Sequence, residues 1–198
     1  MPVLLIQLDA GYLVMLTRKD RQRFEKLTLP HLDAAYNLAL WLVRDSSEAE
    51  DIVQIAYMRA FEAFGRFTGG NTAAWIMTIV RNTAFNLLNK QKRSSNLVSF
   101  DEVSHINDQK YKNTYDLTPE EMINLASSNI QVAELIDRLP IDYREAVFLR
   151  EIEGYSYKEI SEITQVPKGT VMSRLSRARG LLQKFVIEQQ KKEQVRGL

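Results

Sequence analysis

The chain has no cysteine, so neither a disulfide nor a thiolate-held zinc organises it, and a reducing compartment is its natural setting. Histidine is nearly absent: His31 and His105 are the only two, too far apart in sequence to read as a metal pair. Eight glycines and five prolines in 198 residues are too few for a turn-rich β architecture and leave room for long helices. No apolar run approaches the ~20 residues of a membrane span. Leu38 to Val43 is apolar but is stopped by Arg44 and Asp45. Met1 to Leu8 is apolar too, but it has no basic start and ends at Asp9, unlike a secretory leader. There is no phosphate-binding glycine loop and no paired histidine, so the expectation is a cytoplasmic protein without membrane insertion, cofactor, metal or catalytic residue.

What is present is apolar residue (45%) enough for packed cores, and charge arranged in blocks. The net charge of +1 conceals the pattern. From Ala63 to Phe100 there is no acid, while Arg66, Arg81, Lys90, Lys92 and Arg93 are basic. From Asp101 to Glu121 acids lead, and from Lys168 to Lys184 the charged residues are all basic again. Two basic blocks around an acidic one suggest two contacts with a polyanion joined by a segment that avoids it. Ordinary surface charge is the competing explanation.

Apolar periodicity predicts helices throughout. Leu32, Ala35, Tyr36, Ala39, Leu40 and Val43 make one stripe. Ser47 is placed to cap a second helix, with Ala49, Ile52, Val53, Ala56, Ala60 and Phe64 as its stripe. Thr68 to Asn71 is a turn, and a helix from Ala73 to Arg93 follows, with Trp75, Ile76, Ile79, Val80, Thr83 and Leu87 inward. Residues 95–128 have no sustained period and read as a flexible linker. Beyond it, Val132, Leu135, Ile136 and Leu139 form a helix ended by Pro140, and a helix over Tyr143 to Glu151 is closed by Gly154 as a left-handed cap. Ser156 and Glu159 form a capping box for a short helix with Ile160 and Ile163 inward. Gln165 to Pro167 is a turn, and the last helix runs from Thr170 to about Gln189, with Val171, Leu175, Ala178, Leu182 and Phe185 on one side. The fold class is all-α: an N-terminal helical bundle and a C-terminal helix-turn-helix joined by the linker.

A short capped helix, a turn and a longer helix match a helix-turn-helix, and the outer face of the second helix carries Lys168, Ser173, Arg174, Ser176, Arg177 and Arg179. Arginine forks bond guanine edges or phosphates in two places. A basic solvated helix in a bundle is the plainer alternative. Thr78, Arg81, Asn82, Asn86, Asn89 and Lys90 share the outer face of the earlier helix, where amides and cations suit unpaired DNA strands and are equally the marks of polar surface. Tyr36 and Trp75 read as core aromatics rather than base-stacking platforms.

The order of motifs goes further. Leu32-Asp33-Ala34-Ala35-Tyr36-Asn37-Leu38-Ala39, Glu48 to Gln54, Phe67 with Gly69-Gly70, Ala74-Trp75-Ile76 and Val80-Arg81-Asn82-Thr83-Ala84 resemble sigma region 2. Arg138-Leu139-Pro140, Arg144 to Arg150, Gly154 to Ile160 and Gly169 to Leu175 resemble sigma region 4. Together, over Glu25 to Phe185, the chain resembles the extracytoplasmic-function sigma factors of bacterial RNA polymerase. The resemblance implies a chain divided into an extension (1–24), region 2 (25–94), the linker (95–128), region 4 (129–190) and a tail (191–198). It implies core RNA polymerase (β′ clamp and β subunit), promoter DNA and an anti-sigma factor as partners. Asp51, Gln54 and Arg59 match the polymerase-binding positions. Thr68, Gly69, Gly70, Asn71, Thr72, Arg81, Asn82, Asn86 and Lys90 match the −10 site, where a flipped base is held. Lys168, Thr170, Met172, Ser173, Arg174, Ser176 and Arg177 match the helix that reads the −35 duplex. The acidic linker looks like the segment that threads towards the polymerase cleft. Two departures stand out: Ile55 replaces a glutamate of many relatives, and Met172 replaces a basic residue and is suited to touch a thymine methyl. A helix-turn-helix regulator that is not a polymerase subunit is the alternative.

Overall fold

The computed structural model describes residues 18–94 and 132–196; the acidic linker, His105 and most of the N-terminal extension lie outside them. The chain divides into two compact units, the first holding 18–94 and the second most of 132–196. All regular structure among the described residues is helical.

The first unit contains α1 (Arg18–Thr28), a 3₁₀ turn (Leu29–His31), α2 (Leu32–Val43), α3 (Ser46–Ala63), a second 3₁₀ turn (Phe64–Arg66) and α4 (Thr72–Ser94). Helices α2, α3 and α4 pack on one another. The expected stripe of α3 is buried throughout, and Tyr57 and Phe61 join it. In α2 the buried residues are Ala35, Leu38, Ala39 and Leu42, whereas Leu32, Tyr36, Leu40 and Val43 are only half-buried. The buried stripe is turned round the helix from the expected one, towards Leu38 and Leu42, because α2 is packed against both α3 and α4. In α4, Ala74, Ile76, Met77, Val80, Thr83 and Ala84 are buried, and Trp75, Ile79 and Leu87 lie at the margin.

The cap of α3 also differs from expectation. Asp45, not Ser47, is the N-cap, and its carboxylate accepts from the Glu48 N–H at 2.8 Å. Arg44 adopts a left-handed φ of 64°, turning the chain at once after α2 and leaving Asp45 as the single residue before α3. A carboxylate there also meets the positive end of the helix dipole. Helix α1 is anchored by Phe24, whose ring meets Phe61 and Phe64 edge-on at 5.2 Å each. The Tyr57 hydroxyl donates to the Thr28 carbonyl at 2.9 Å. Burial, with Asp33 adding, pushes that phenol well above the ordinary range.

The second unit contains α5 (Val132–Asp137), α6 (Ile141–Val147), a π-helical segment (Phe148–Ile152), α7 (Tyr157–Thr164) and α8 (Lys168–Arg196). Helix α6 starts at Ile141 rather than Tyr143, because Pro140, with φ −51°, serves as its N-cap. The helix does not continue uniformly to Glu151 but widens into the π segment, where the Glu153 N–H reaches Phe148 O at 3.1 Å. Gly154, at φ 74°, closes it as expected, and the Tyr155 N–H bonds Leu149 O at 2.9 Å.

The capping box of α7 is complete: the Glu159 N–H donates to Ser156 Oγ at 3.3 Å, and the Ser156 N–H to Glu159 Oε2 at 2.8 Å. Gln165 makes the turn in left-handed backbone at φ 58°, and Ser161 Oγ donates to Val166 O at 2.6 Å, tying the turn back to α7. Helix α8 is longer than expected at both ends. Pro167 O accepts from the Thr170 and Val171 N–H groups, so the first turn forms directly after the proline. Its buried line is Val171, Leu175, Ala178, Leu182 and Val186. Phe185, expected inward, is half-buried, with the Arg138 guanidinium 4.0 Å from its ring centroid.

Candidate nucleic-acid interface

On α3, Asp51 and Gln54 are exposed, as is Ile55 at 42%. Arg59 is exposed too, but its Nη1 donates to Thr83 Oγ1 at 3.1 Å, so part of its fork is engaged by α4. The start of α3 is tied to the end of α4 by Gln91 Nε2 donating to Glu48 Oε1 at 2.7 Å.

The loop before α4 is built by two glycines, Gly69 at φ 100° and Gly70 at φ 108°, conformations that side-chain-bearing residues rarely adopt. Thr68, Gly69 and Gly70 are exposed; Thr72 is half-buried. Asn71 has an architectural task, since its Oδ1 accepts from the Ala74 N–H at 3.0 Å and caps α4. At the foot of this loop Phe67 stacks on Trp75 with ring centroids 4.5 Å apart, and both rings are half-buried. Sequence reading put Trp75 in the core; its place at the edge of the bundle leaves part of the stacked pair open. On α4 the Arg81 guanidinium lies 4.4 Å from the Phe85 centroid and donates to Asn82 Oδ1 at 3.3 Å. Asn82, Asn86 and Lys90 are all exposed. Lys92, near the end of α4, has its pKa lowered by burial.

In the second unit Lys168, Met172 (52%) and Ser176 are exposed on α8, and Thr170, Ser173, Arg174 and Arg177 are half-buried. Ser173 Oγ donates to Thr170 O at 2.9 Å, which leaves its oxygen as an acceptor. Not all the basic face is available. Arg179 Nη2 meets Glu151 Oε1 at 2.8 Å with both side chains 16% exposed, and its Nε is buried without a hydrogen-bond partner. Arg174 Nη2 lies 3.3 Å from Asp142 Oδ1. Sequence reading missed both acids, which lie 28 and 32 residues from their arginines and leave no local trace. Beside them Arg150 Nη1 donates to Tyr155 O at 2.9 Å, and its guanidinium lies over the Tyr157 ring at 5.0 Å. The Tyr155 phenol is pushed up to about 12 by burial, with Glu153 and Glu159 adding, and burial also raises the Glu153 carboxyl.

Among the described residues no group of three or more acidic or histidine side chains is placed to hold a metal, and no helix is long and apolar enough to cross a membrane. An amide-rich helix face beside a glycine loop, and a capped helix-turn-helix with a basic second helix, are the surfaces of a protein that reads DNA. Comparison with known proteins gives the family. Residues 27–94 match sigma-70 region 2, and residues 129–182 match sigma-70 region 4. The chain is 34% identical over 171 residues to the RNA polymerase sigma-H factor of Pseudomonas aeruginosa, covering 84% of this chain and 88% of that one. It is 32% identical to the ECF RNA polymerase sigma-E factor of Escherichia coli K12, over 81% of this chain and 84% of the other. Among solved structures it resembles the Bartonella quintana sigma factor RpoE, crystallised with the anti-sigma factor NepR (28% identity, TM-score 0.61, 84% of this chain and 98% of that one). CnrH, solved with the cytosolic domain of CnrY, shares the fold at 20% identity and a TM-score of 0.58, over 85% of this chain and 90% of that one. The chain belongs to the extracytoplasmic-function sigma factors of the sigma-70 family, which direct RNA polymerase to promoters.

Proposed function

We propose that this protein works in the cytoplasm as a promoter-specificity subunit that carries no catalytic group of its own. Residues 25–94 bind core polymerase and open the −10 element, and 129–190 read the −35 duplex. Asp51 and Gln54 face the β′ clamp, with Arg59 held beside them by Thr83. The loop Thr68 to Thr72 and the face of Arg81, Asn82, Asn86 and Lys90 take the unpaired strand. There the Asn82 amide reads a base edge and cations follow the phosphates. Lys168, Thr170, Met172, Ser173, Arg174, Ser176 and Arg177 meet the major groove, some contacts setting affinity through phosphates and others setting sequence choice.

The observation that carries this reading is the second unit: a capping box, a left-handed turn at Gln165 and a long helix whose first turns expose Lys168, Met172 and Ser176. An anti-sigma partner follows by analogy with the Bartonella complex and would act by covering these surfaces.

The test is association with core RNA polymerase, followed by run-off transcription from a library of genomic promoter fragments. Stable association with promoter-dependent transcripts is the expected result. Binding to duplex DNA without polymerase association would indicate instead a regulator that is no polymerase subunit.

A further inference from the structure

We propose that Asp142 is a positioning residue for promoter selectivity: from α6 it braces Arg174 of α8 so that the guanidinium meets the −35 element already oriented. The inference rests on the −35 reading above. Arg174 Nη2 lies 3.3 Å from Asp142 Oδ1, with the side chains 18% and 33% exposed. Among the described residues that ion pair is the one polar contact of the Arg174 fork, and none of its other N–H groups is both buried and unpartnered. The pair therefore holds one corner of the fork and leaves the rest for a ligand. Arg179, covered to nearly the same degree as Arg174, is the contrast in its bonding: it donates to Glu151 Oε1 at 2.8 Å and its Nε is buried without a partner, whereas no N–H of Arg174 is both buried and unpartnered.

Position favours the brace. Arg174 stands in the second turn of α8, between exposed Met172 and Ser176, in the part of a recognition helix that meets base edges. A guanine is read by two parallel N–H groups of one rigid fork, and a long unbraced arginine loses rotamer freedom to adopt that pose. A carboxylate on a neighbouring helix removes the freedom before DNA arrives. It also offsets the arginine charge, so the pair adds more to base choice than to salt-dependent attraction to phosphates. Removing Asp142 therefore relaxes selectivity without lowering affinity for unrelated DNA.

The experiment uses the full chain with core polymerase and a promoter library randomised across the −35 element, read by transcript sequencing. Arg174→Ala is expected to lose preference at one base position by roughly tenfold or more. Asp142→Ala should relax the same position by about threefold, with unrelated-DNA binding unchanged or stronger, and the double variant should match Arg174→Ala. Asp142→Asn, which keeps an acceptor oxygen but not the charge, should retain the −35 preference while binding unrelated DNA more strongly. Asp142→Ser, too short to reach but well suited to a first helical turn, should behave as Ala and guards against a folding defect. An altered profile for Arg174→Ala with a wild-type profile for Asp142→Ala and Asp142→Ser overturns the brace and leaves the −35 reading intact. An unaltered profile for Arg174→Ala overturns Arg174 as a reader and the brace with it. Equal loss at every −35 sequence in Asp142→Ala and Asp142→Ser also overturns it, leaving Asp142 only a structural role.

Discussion

Arg59 donates to Thr83 Oγ1 at 3.1 Å while that hydroxyl donates to the Ile79 carbonyl at 2.8 Å, so one threonine links the outer face of α3 to the backbone of α4. Thr83 is 5% exposed, and a valine there keeps the shape but loses both bonds. Thr83→Val is expected to destabilise the first unit by about 1–2 kcal/mol. Urea denaturation followed by circular dichroism measures this. Core polymerase binding by the same variant should fall less than with Arg59→Ala, because Thr83 itself is buried.

Asp51→Arg and Asn82→Ala should separate the two tasks assigned to the first unit. Both side chains are exposed, and neither is needed for the buried core. Asp51→Arg is expected to weaken core binding in a pull-down. Asn82→Ala should bind core normally and yield fewer open complexes by permanganate footprinting. The reverse pattern would exchange the two surfaces.

The Glu151–Arg179 pair joins the π segment to α8 with little exposure of either partner. Truncating either one leaves a charge largely covered and unpaired, at a cost of about 3 kcal/mol. Glu151→Ala and Arg179→Ala should each lower the unfolding midpoint of the second unit. The double variant should lose less than the sum, and a purely additive cycle would show that the two side chains do not interact.

Ser156→Ala removes one arm of the capping box of α7. The expected loss is about 1 kcal/mol, read as a shift in denaturation midpoint, with Ser156→Asp close to wild type. This was also the most legible element of the fold. A capping box is local, written in two residues three apart, and it stands in the structure as the sequence implied. The glycine turn at Gly69 and Gly70 and the cap at Gly154 were legible for the same reason. What escaped was non-local. Leu38 and Leu42 are buried because α2 touches two neighbours, and Val186 replaces Phe185 in the buried line of α8. The π segment has no sequence mark either, and it carries the Glu151 that Arg179 of α8 meets. The charged face of α8 was visible as composition, but the withdrawal of Arg179 into an ion pair depends on an acid 28 residues away.

Alkaline pH should weaken both units. The Tyr155 phenol is held at about 12 against an ordinary 10.0, chiefly by burial, and the Tyr57 phenol is raised further for the same reason. Below pH 10 both are neutral whether folded or unfolded, and their contribution is complete. As pH rises past 10 the unfolded phenols ionise first, the folded state holds more protons, and stability falls. Melting temperatures at pH 9, 10 and 11 should decline for the wild type and decline less for Tyr155→Phe. A Tyr155→Phe slope equal to that of the wild type would remove the phenol as a source.

Two changes of direction, after α2 and between α7 and α8, are made without glycine, by Arg44 at φ 64° and Gln165 at φ 58°. A side chain in that backbone geometry costs about 1 kcal/mol or more over glycine, less what glycine gives back to the disordered chain. The protein thus holds heat resistance in reserve at two places that no assigned DNA or polymerase contact occupies. Glycine or asparagine at these turns is where a hardier form of the molecule would begin, with its choice of promoters left as it is.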